Sequence, residues 1–278
     1  MKDTILFGDC RETLSAFIDK AQMCVTSPPY YGLRNYGGED KQIGQEDTPE
    51  EYIENLVSVF RSVRDTLTED GTLWLNIGDS YYNYRPGKGQ ALVKQSVSKT
   101  NQDLPTKCNR RANKLEGYKE KDLIGIPWLL AFALRKDGWY LRQDIIWNKP
   151  NPMPESVRDR CTKSHEYVFL LSKNQNYYFD VDAIKEETRR KRSVWNIKTK
   201  PYKGSHFAVF PPDLVELCIK AGSKKNDIIL DPFMGSGTTA MVSKSLGRYY
   251  LGCELHQEYG KLIEDRIAPY HNTLEKFL

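Results

Sequence analysis

Paired cysteines, clustered histidines and long apolar runs are all missing from this chain of 278 residues. Its six cysteines (Cys10, Cys24, Cys108, Cys161, Cys218 and Cys253) are scattered and show no CxxC spacing. That excludes a zinc ribbon or a disulfide framework and reads them as reduced packing residues. The four histidines lie far apart in sequence, so no metal is expected. No apolar run is long enough to span a bilayer, and Met1 to Gly8 carries no signal-peptide pattern. The expectation is a cytoplasmic protein with no membrane partner. Internal repeats and low-complexity tracts are absent as well. The Gly-rich stretch at 231–239 has neither the Lys-Ser/Thr pair of a Walker loop nor a complete GxGxxG, which argues against a nucleotide polyphosphate.

What is present is ordinary in amount and uneven in placement. Hydrophobic residues make up 39% and charged residues 28%, as in a globular domain, and the length suits one large α/β unit spanning 1–278. The net charge is only +4, yet residues 81–122 and 184–203 each carry six more Lys/Arg than Asp/Glu. The remainder is therefore about −8. Positive charge gathered into two segments is what a phosphate-binding surface requires; a pair of solvated loops fits equally well.

Strand and helix patterns alternate along the chain. Strands are predicted over 4–7, 22–26, 72–77, 139–147, 165–171, 227–230 and 248–253. Residues 165–171 and 177–179 read as a hairpin around Lys173-Asn174-Gln175-Asn176. A short helix after Asp9 has Leu14, Phe17 and Ile18 as its apolar positions. A longer one begins at Thr48, with Pro49 at its first position and Glu51 completing a capping box. Its apolar face is Ile53, Leu56, Val57, Phe60, Val63 and Leu67. Further helices are predicted over 127–136, stopped by Gly138, over 214–221, closed by Gly222, from Thr238, and at the C-terminal end. Residues 81–122 read as an insertion. The alternation predicts a mostly parallel, doubly wound sheet with one antiparallel hairpin.

Two motifs sit where a strand gives way to a loop. Asp231-Pro232-Phe233-Met234-Gly235-Ser236-Gly237-Thr238-Thr239 joins a strand to a helix, the place where open α/β sheets bind ligands. Gly235 and Gly237 allow close backbone approach, and Asp231 offers a carboxylate to a cationic or ammonium-bearing group. Glu254, at the next strand's end, is placed to accept hydrogen bonds from ribose hydroxyls. On its own such a turn fits any α/β protein. The second motif is Thr26-Ser27-Pro28-Pro29-Tyr30. Residues before proline are held extended, so the run presents the Ser27 hydroxyl, the Pro28 carbonyl and the Tyr30 ring. Two acceptors and a stacking face suit a planar base bearing an amino group; a rigid turn with an incidental tyrosine is the plainer reading.

Taken together, the motifs resemble those of the permuted beta group of DNA amino-methyltransferases, with the TSPPY run ahead of the cofactor loop. The resemblance covers nearly the whole chain. Thr26 to Tyr30 match the catalytic motif, Asp231 to Thr239 the methionine-binding loop, and Leu251 to Glu254 the ribose-binding strand end. Gly8-Asp9 resembles the acidic strand end near the adenine. His206 to Pro211, including Phe207 and Phe210, resembles the segment packed over the methionine end. The implied fold is the Rossmann-like S-adenosylmethionine-dependent methyltransferase fold, circularly permuted. The implied cofactor is S-adenosyl-L-methionine, contacted by Asp9, Thr26, Phe207, Phe210, Asp231, Pro232, Phe233, Gly235, Ser236, Gly237, Thr238, Thr239 and Glu254. Asp231, Glu254 and Asp9 are then expected at neighbouring strand ends, with Ser27 ending the next strand.

The resemblance further implies direct methyl transfer to an exocyclic amino group of a flipped base in double-stranded DNA, with Ser27, Pro28, Pro29 and Tyr30 as the catalytic run. Cytosine C5 chemistry would need a cysteine after a proline, and the chain has no such pair. Serine ahead of Pro-Pro-Tyr resembles the N4-cytosine members; N6-adenine is the alternative. Asn76 and Asp79 are candidates for the neighbourhood of the released proton, or simply strand-end turn residues. Arg110, Arg111, Arg189, Arg190 and Arg192 are the expected DNA contacts, with the loop 148–164, including Arg158, Asp159 and Arg160, also facing DNA. Trp147 and Trp195 lie near these segments, but a core position suits both. A homodimer and a cognate restriction enzyme would fit as partners. Rival readings are an RNA or protein-amide methyltransferase and a catalytically silent DNA-binding module.

Overall fold

The computed structural model describes residues 1–32, 42–83, 114–199 and 210–270. The strands are β1 (Thr4–Phe7), β2 (Ala21–Thr26), β3 (Leu67–Ile77), β4 (Tyr140–Asn148), β5 (His165–Ser172), β6 (Val194–Asn196), β7 (Ile228–Asp231) and β8 (Tyr249–Glu254). The helices are α1 (Cys10–Thr13), α2 (Pro49–Thr66), α3 (Ile126–Lys136), α4 (Pro212–Gly222), α5 (Thr238–Ser245) and α6 (Tyr259–Ile267). All eight strands join one sheet in the order β1-β8-β7-β2-β3-β5-β4-β6. Among the described strands only β5 runs against the rest; β1, β8, β7, β2 and β3 pair in parallel, and so do β4 and β6.

Period-two alternation in the central strands divides the core between the two faces. Leu73, Leu75 and Ile77 of β3 and Cys24 of β2 pack with α2 and α3. Trp74, Met23 and Val25 point the other way and meet α4 through Leu214, Val215, Cys218 and Ile219. Parallel strands covered on both faces have nearly continuous apolar sequences, as β2 and β7 do.

Thr48 caps α2 as predicted, its hydroxyl accepting from Glu51 N at 3.2 Å. The return bond of the capping box differs: the Glu51 carboxylate accepts from Asp47 N, not from Thr48 N. The buried face of α2 adds Tyr52 and Val59 to the predicted set. Ile18 lies outside the short helix and is 84% exposed. Gly222 is the last residue of α4, not a cap beyond it, and a Cβ there would lie 2.7 Å from Met23 Sδ and 2.9 Å from Trp74 Nε1. The absent side chain lets α4 lie against the sheet.

The predicted hairpin of 165–171 with 177–179 does not form. The antiparallel partners of β5 are β3 and β4. Residues 177–179 contain no strand; Phe179 stacks on Trp74, and Tyr178 N donates to Asp70 O. Part of the basic stretch 184–203 is likewise ordered into the sheet as β6, whose middle residue, Trp195, is buried. No helix among the described residues is long and apolar enough to cross a membrane.

Candidate active site

Parallel pairing brings the carboxyl ends of β1, β8, β7, β2 and β3 to one edge, in that order. β5, being reversed, brings its first residues there instead, and β4 its last. A cavity of about 350 Å³ opens along this edge. At one end it is lined by Asp9, Glu254 and His256, in the middle by Pro232 to Ser236, and at the other end by Ser27 to Tyr30, Asn76, Lys149 and Glu166.

The Gly-rich turn is held from beneath. Asp231 is fully buried and accepts from Thr26 Oγ1 and Thr239 Oγ1, each at 2.6 Å, and from Phe233 N at 3.0 Å. Burial pushes its carboxyl up to about 6 in spite of those three donors. The Thr26–Asp231 bond joins residues 205 positions apart. It pins the Ser-Pro-Pro-Tyr run to the Gly-rich loop. Gly235 and Gly237 take left-handed backbone conformations, with φ of 55° and 79°, that a side chain would strain. Glu254 accepts from Gly235 N at 2.7 Å and His256 N at 3.0 Å, yet burial raises its carboxyl to about 7. Asp9 is gripped by the Arg11 guanidinium, whose Nε lies 3.0 Å from both carboxylate oxygens.

Across the cavity, Tyr52 of α2 donates to Pro29 O at 2.8 Å and fixes the Ser-Pro-Pro-Tyr run from behind. The Tyr30 ring lies against Gly78, where a Cβ would come within 2.7 Å of Tyr30 Cε2. Its hydroxyl donates to Glu166 Oε2 at 2.7 Å, and the Ser27 hydroxyl lies 3.5 Å from the Tyr30 oxygen. Lys149 forms an ion pair with the other oxygen of Glu166 and stands over the Trp147 ring.

Residues 21–265 match a family of DNA methylases. The chain is 52% identical to the type II methyltransferase M.SmaI of Serratia marcescens, covering 95% of this chain and 90% of that protein. It is 47% identical to M.Cfr9I of Citrobacter freundii, covering 95% and 87%. This chain belongs to the N6/N4 DNA methylase family. Among solved structures, the PvuII DNA methyltransferase (cytosine-N4-specific) aligns with a TM-score of 0.68 at 19% identity, covering 99% of this chain and 93% of that one. The M1.HpyAVI–SAM complex aligns at 0.61 and 20%, covering 95% and 98%. The fold of this methylase is thus the α/β fold of the DNA methyltransferases.

In this methylase the predicted residues gather unevenly around the cavity. Asp9, Ser27, Pro28, Pro29, Tyr30, Phe210, Pro232, Phe233, Gly235, Ser236, Thr238 and Glu254 line it. Thr26, Asp231, Gly237 and Thr239 lie in the layer that supports the loop, not in the cavity wall. Phe207, Arg110 and Arg111 fall outside the described residues. Arg189, Arg190 and Arg192 are exposed beside β6, at the outer edge of the sheet. With strands ~4.8 Å apart, that edge is about 19 Å from Ser27's strand. In the loop after β4, Arg160 reaches Glu155 and lies over the Tyr81 ring, while Asp159 pairs with Lys121. Asp79 accepts from Gly125 N, Ile126 N and Ser80 N, so it anchors the start of α3, away from the cavity wall; Asn76 is in the wall. Trp195 is a core residue, whereas Trp147 also faces the cavity. Lys149, Glu166 and His256 carried no local sequence signal, and the fold alone brings them here.

Proposed function

We propose that this protein is a member of the permuted beta group and methylates the N4 amino group of cytosine in duplex DNA, using S-adenosylmethionine. The observation that carries this reading is the Thr26–Asp231 hydrogen bond, which sets the Ser-Pro-Pro-Tyr run beside the Gly-rich loop. A TSPPY run at 26–30 that precedes a cofactor loop at 231–239 supports the permuted order, and one continuous sheet supports a single catalytic unit over 1–278.

The cavity suits the cofactor. Glu254 faces the cavity with a carboxyl that burial raises although Gly235 N and His256 N already donate to it, and ribose hydroxyls would add further donors. Phe210, Pro232 and Phe233 offer apolar walls, with Asp9 beyond Glu254 on the adenine side. When bound, S-adenosylmethionine supplies an electrophilic methyl on its sulfonium. The protein's part is to hold the target nitrogen in line with that methyl. An exocyclic amino group is a weak nucleophile because its lone pair is delocalised into the ring. Ser27 Oγ and the Pro28 carbonyl accept its two N–H bonds, which favours a tetrahedral nitrogen and localises the lone pair. Tyr30 stacks on the extruded base. The product nitrogen releases its surplus proton to solvent or a nearby acceptor.

Serine before Pro-Pro-Tyr favours cytosine over adenine. The exposed arginines near β6 and the loop 148–164 face the DNA. The type II names of the relatives support a role beside a cognate restriction enzyme. Transfer of labelled methyl groups to duplex DNA, RNA and protein tests the reading: only duplex DNA should be labelled. Ser27→Ala should slow transfer ~10²-fold, as removal of one preorganised polar group at a reacting centre does. Cofactor affinity should stay within about twofold, because Ser27 is assigned to the base and not to the cofactor. Labelling of RNA or protein alone, or a Ser27→Ala enzyme of parental rate, would overturn it.

A further inference from the structure

Glu166 is an acidic side chain in the cavity wall to which the reaction as described gives no task. It comes from the second residue of β5, the one reversed strand, so its amino-terminal end reaches the edge where the other strands finish. Oε1 pairs with Lys149, while Oε2 accepts from Tyr30 at 2.7 Å and from Asn76 Nδ2 at 3.2 Å. Ser27 and Tyr30 continue the chain to the reacting centre.

The direction of this chain follows from its far end. An ionised carboxylate can only accept, so the one hydroxyl hydrogen of Tyr30 is drawn toward Glu166. The Tyr30 oxygen then offers only lone pairs to its neighbours, and the Ser27 hydroxyl must be the donor between the two. With its hydrogen committed to Tyr30, Ser27 turns lone pairs toward the cavity. An amino group about to be methylated needs acceptors there; a hydrogen from Ser27 pointing at it would oppose the localisation of its lone pair. Lys149, itself able only to donate, balances the charge of Glu166 and fixes the carboxylate between two donors.

We propose that Glu166 is a positioning residue that, through Tyr30, orients the Ser27 hydroxyl as an acceptor for the target amino group. This rests on the reading of Ser27 as the group that meets the base. It gives Tyr30 a second task beyond stacking, one that needs its hydroxyl.

Glu166→Gln tests it by reversing the chain. The Gln carbonyl must face Lys149, because lysine has no acceptor, which leaves the amide N–H groups facing Tyr30 and Asn76. Tyr30 then accepts from the amide, and its hydrogen turns away from residue 166 to Ser27 Oγ at 3.5 Å or to Asn76 Oδ1 at 3.4 Å. In single-turnover methylation of duplex DNA, E166Q should be slower by tenfold or more, with DNA and S-adenosylmethionine Kd within twofold of the parent. Tyr30→Phe, which keeps the ring, should show a comparable loss and serves on its own if E166Q does not fold. The double variant should be no slower than E166Q, because the chain is already broken. Losses that multiply in the double variant, parental rates in Y30F or E166Q, or an effect confined to Kd would overturn the proposal. Ser27→Ala, run alongside, separates the two failures. A slow S27A with a fast E166Q rejects only the role of Glu166, whereas a fast S27A rejects the reading beneath it.

Discussion

On the proposed reading, in which Glu254 holds the cofactor ribose, one residue links protonation to ligand binding. Burial raises its carboxyl to about 7 from an ordinary 4.5. Between those values the unfolded chain has lost this proton while the folded chain keeps it. The group therefore costs stability as pH rises from about 4.5 to about 7, and the full cost is present above that window. Asp231, raised to about 6, acts in the same direction over a lower range. Ribose hydroxyls donating to Glu254 favour its ionised form, so cofactor binding below pH 7 releases a proton. Titration calorimetry in buffers of different ionisation enthalpy should show this proton release, with affinity rising as pH approaches 7. Glu254→Gln should abolish the release and flatten that limb of the pH profile. Unchanged proton release in E254Q would place the titrating group elsewhere.

Packing between elements decides how far the strand ends can be trusted as a platform for the site. α4 lies against β2 and β3 because Gly222 leaves room for Met23 and Trp74. Gly222→Ala should destabilise the protein by ~1–3 kcal/mol, the range for overpacking, read as a lower urea midpoint at unchanged slope. Elements that carry their own local signal were legible in the sequence. Thr48, Pro49 and Glu51 announce α2, and the strand-to-glycine transition at Asp231 announces the turn between β7 and α5. What escaped depends on pairing between distant segments. β5 reads as half of a local hairpin because a turn sequence follows it, yet its partners come from residues 67–77 and 140–148. Glu166 was invisible for the same reason. It is a lone acid at the start of an apolar strand, and it meets Tyr30 across 136 positions. Asp79 sits beside a strand end as catalytic acids do, but its acceptor capacity is spent on the start of α3.

Charge and topology act together over the whole molecule. The chain folds so that its early TSPPY run and its late Gly-rich loop share one edge. Arg189, Arg190 and Arg192 lie exposed at the outer strand. Replacing all three by alanine should weaken DNA binding and reduce the slope of log Kd against log salt by about 2–3, roughly 0.9 for each phosphate no longer neutralised. An unchanged slope would remove this edge from the DNA-facing surface. The chemical product is the most direct test of the whole. Duplex DNA incubated with the protein and S-adenosylmethionine, digested to nucleosides and measured by mass spectrometry, should contain N4-methylcytosine. N6-methyladenine in its place, or no methylated nucleoside at all, would contradict the account.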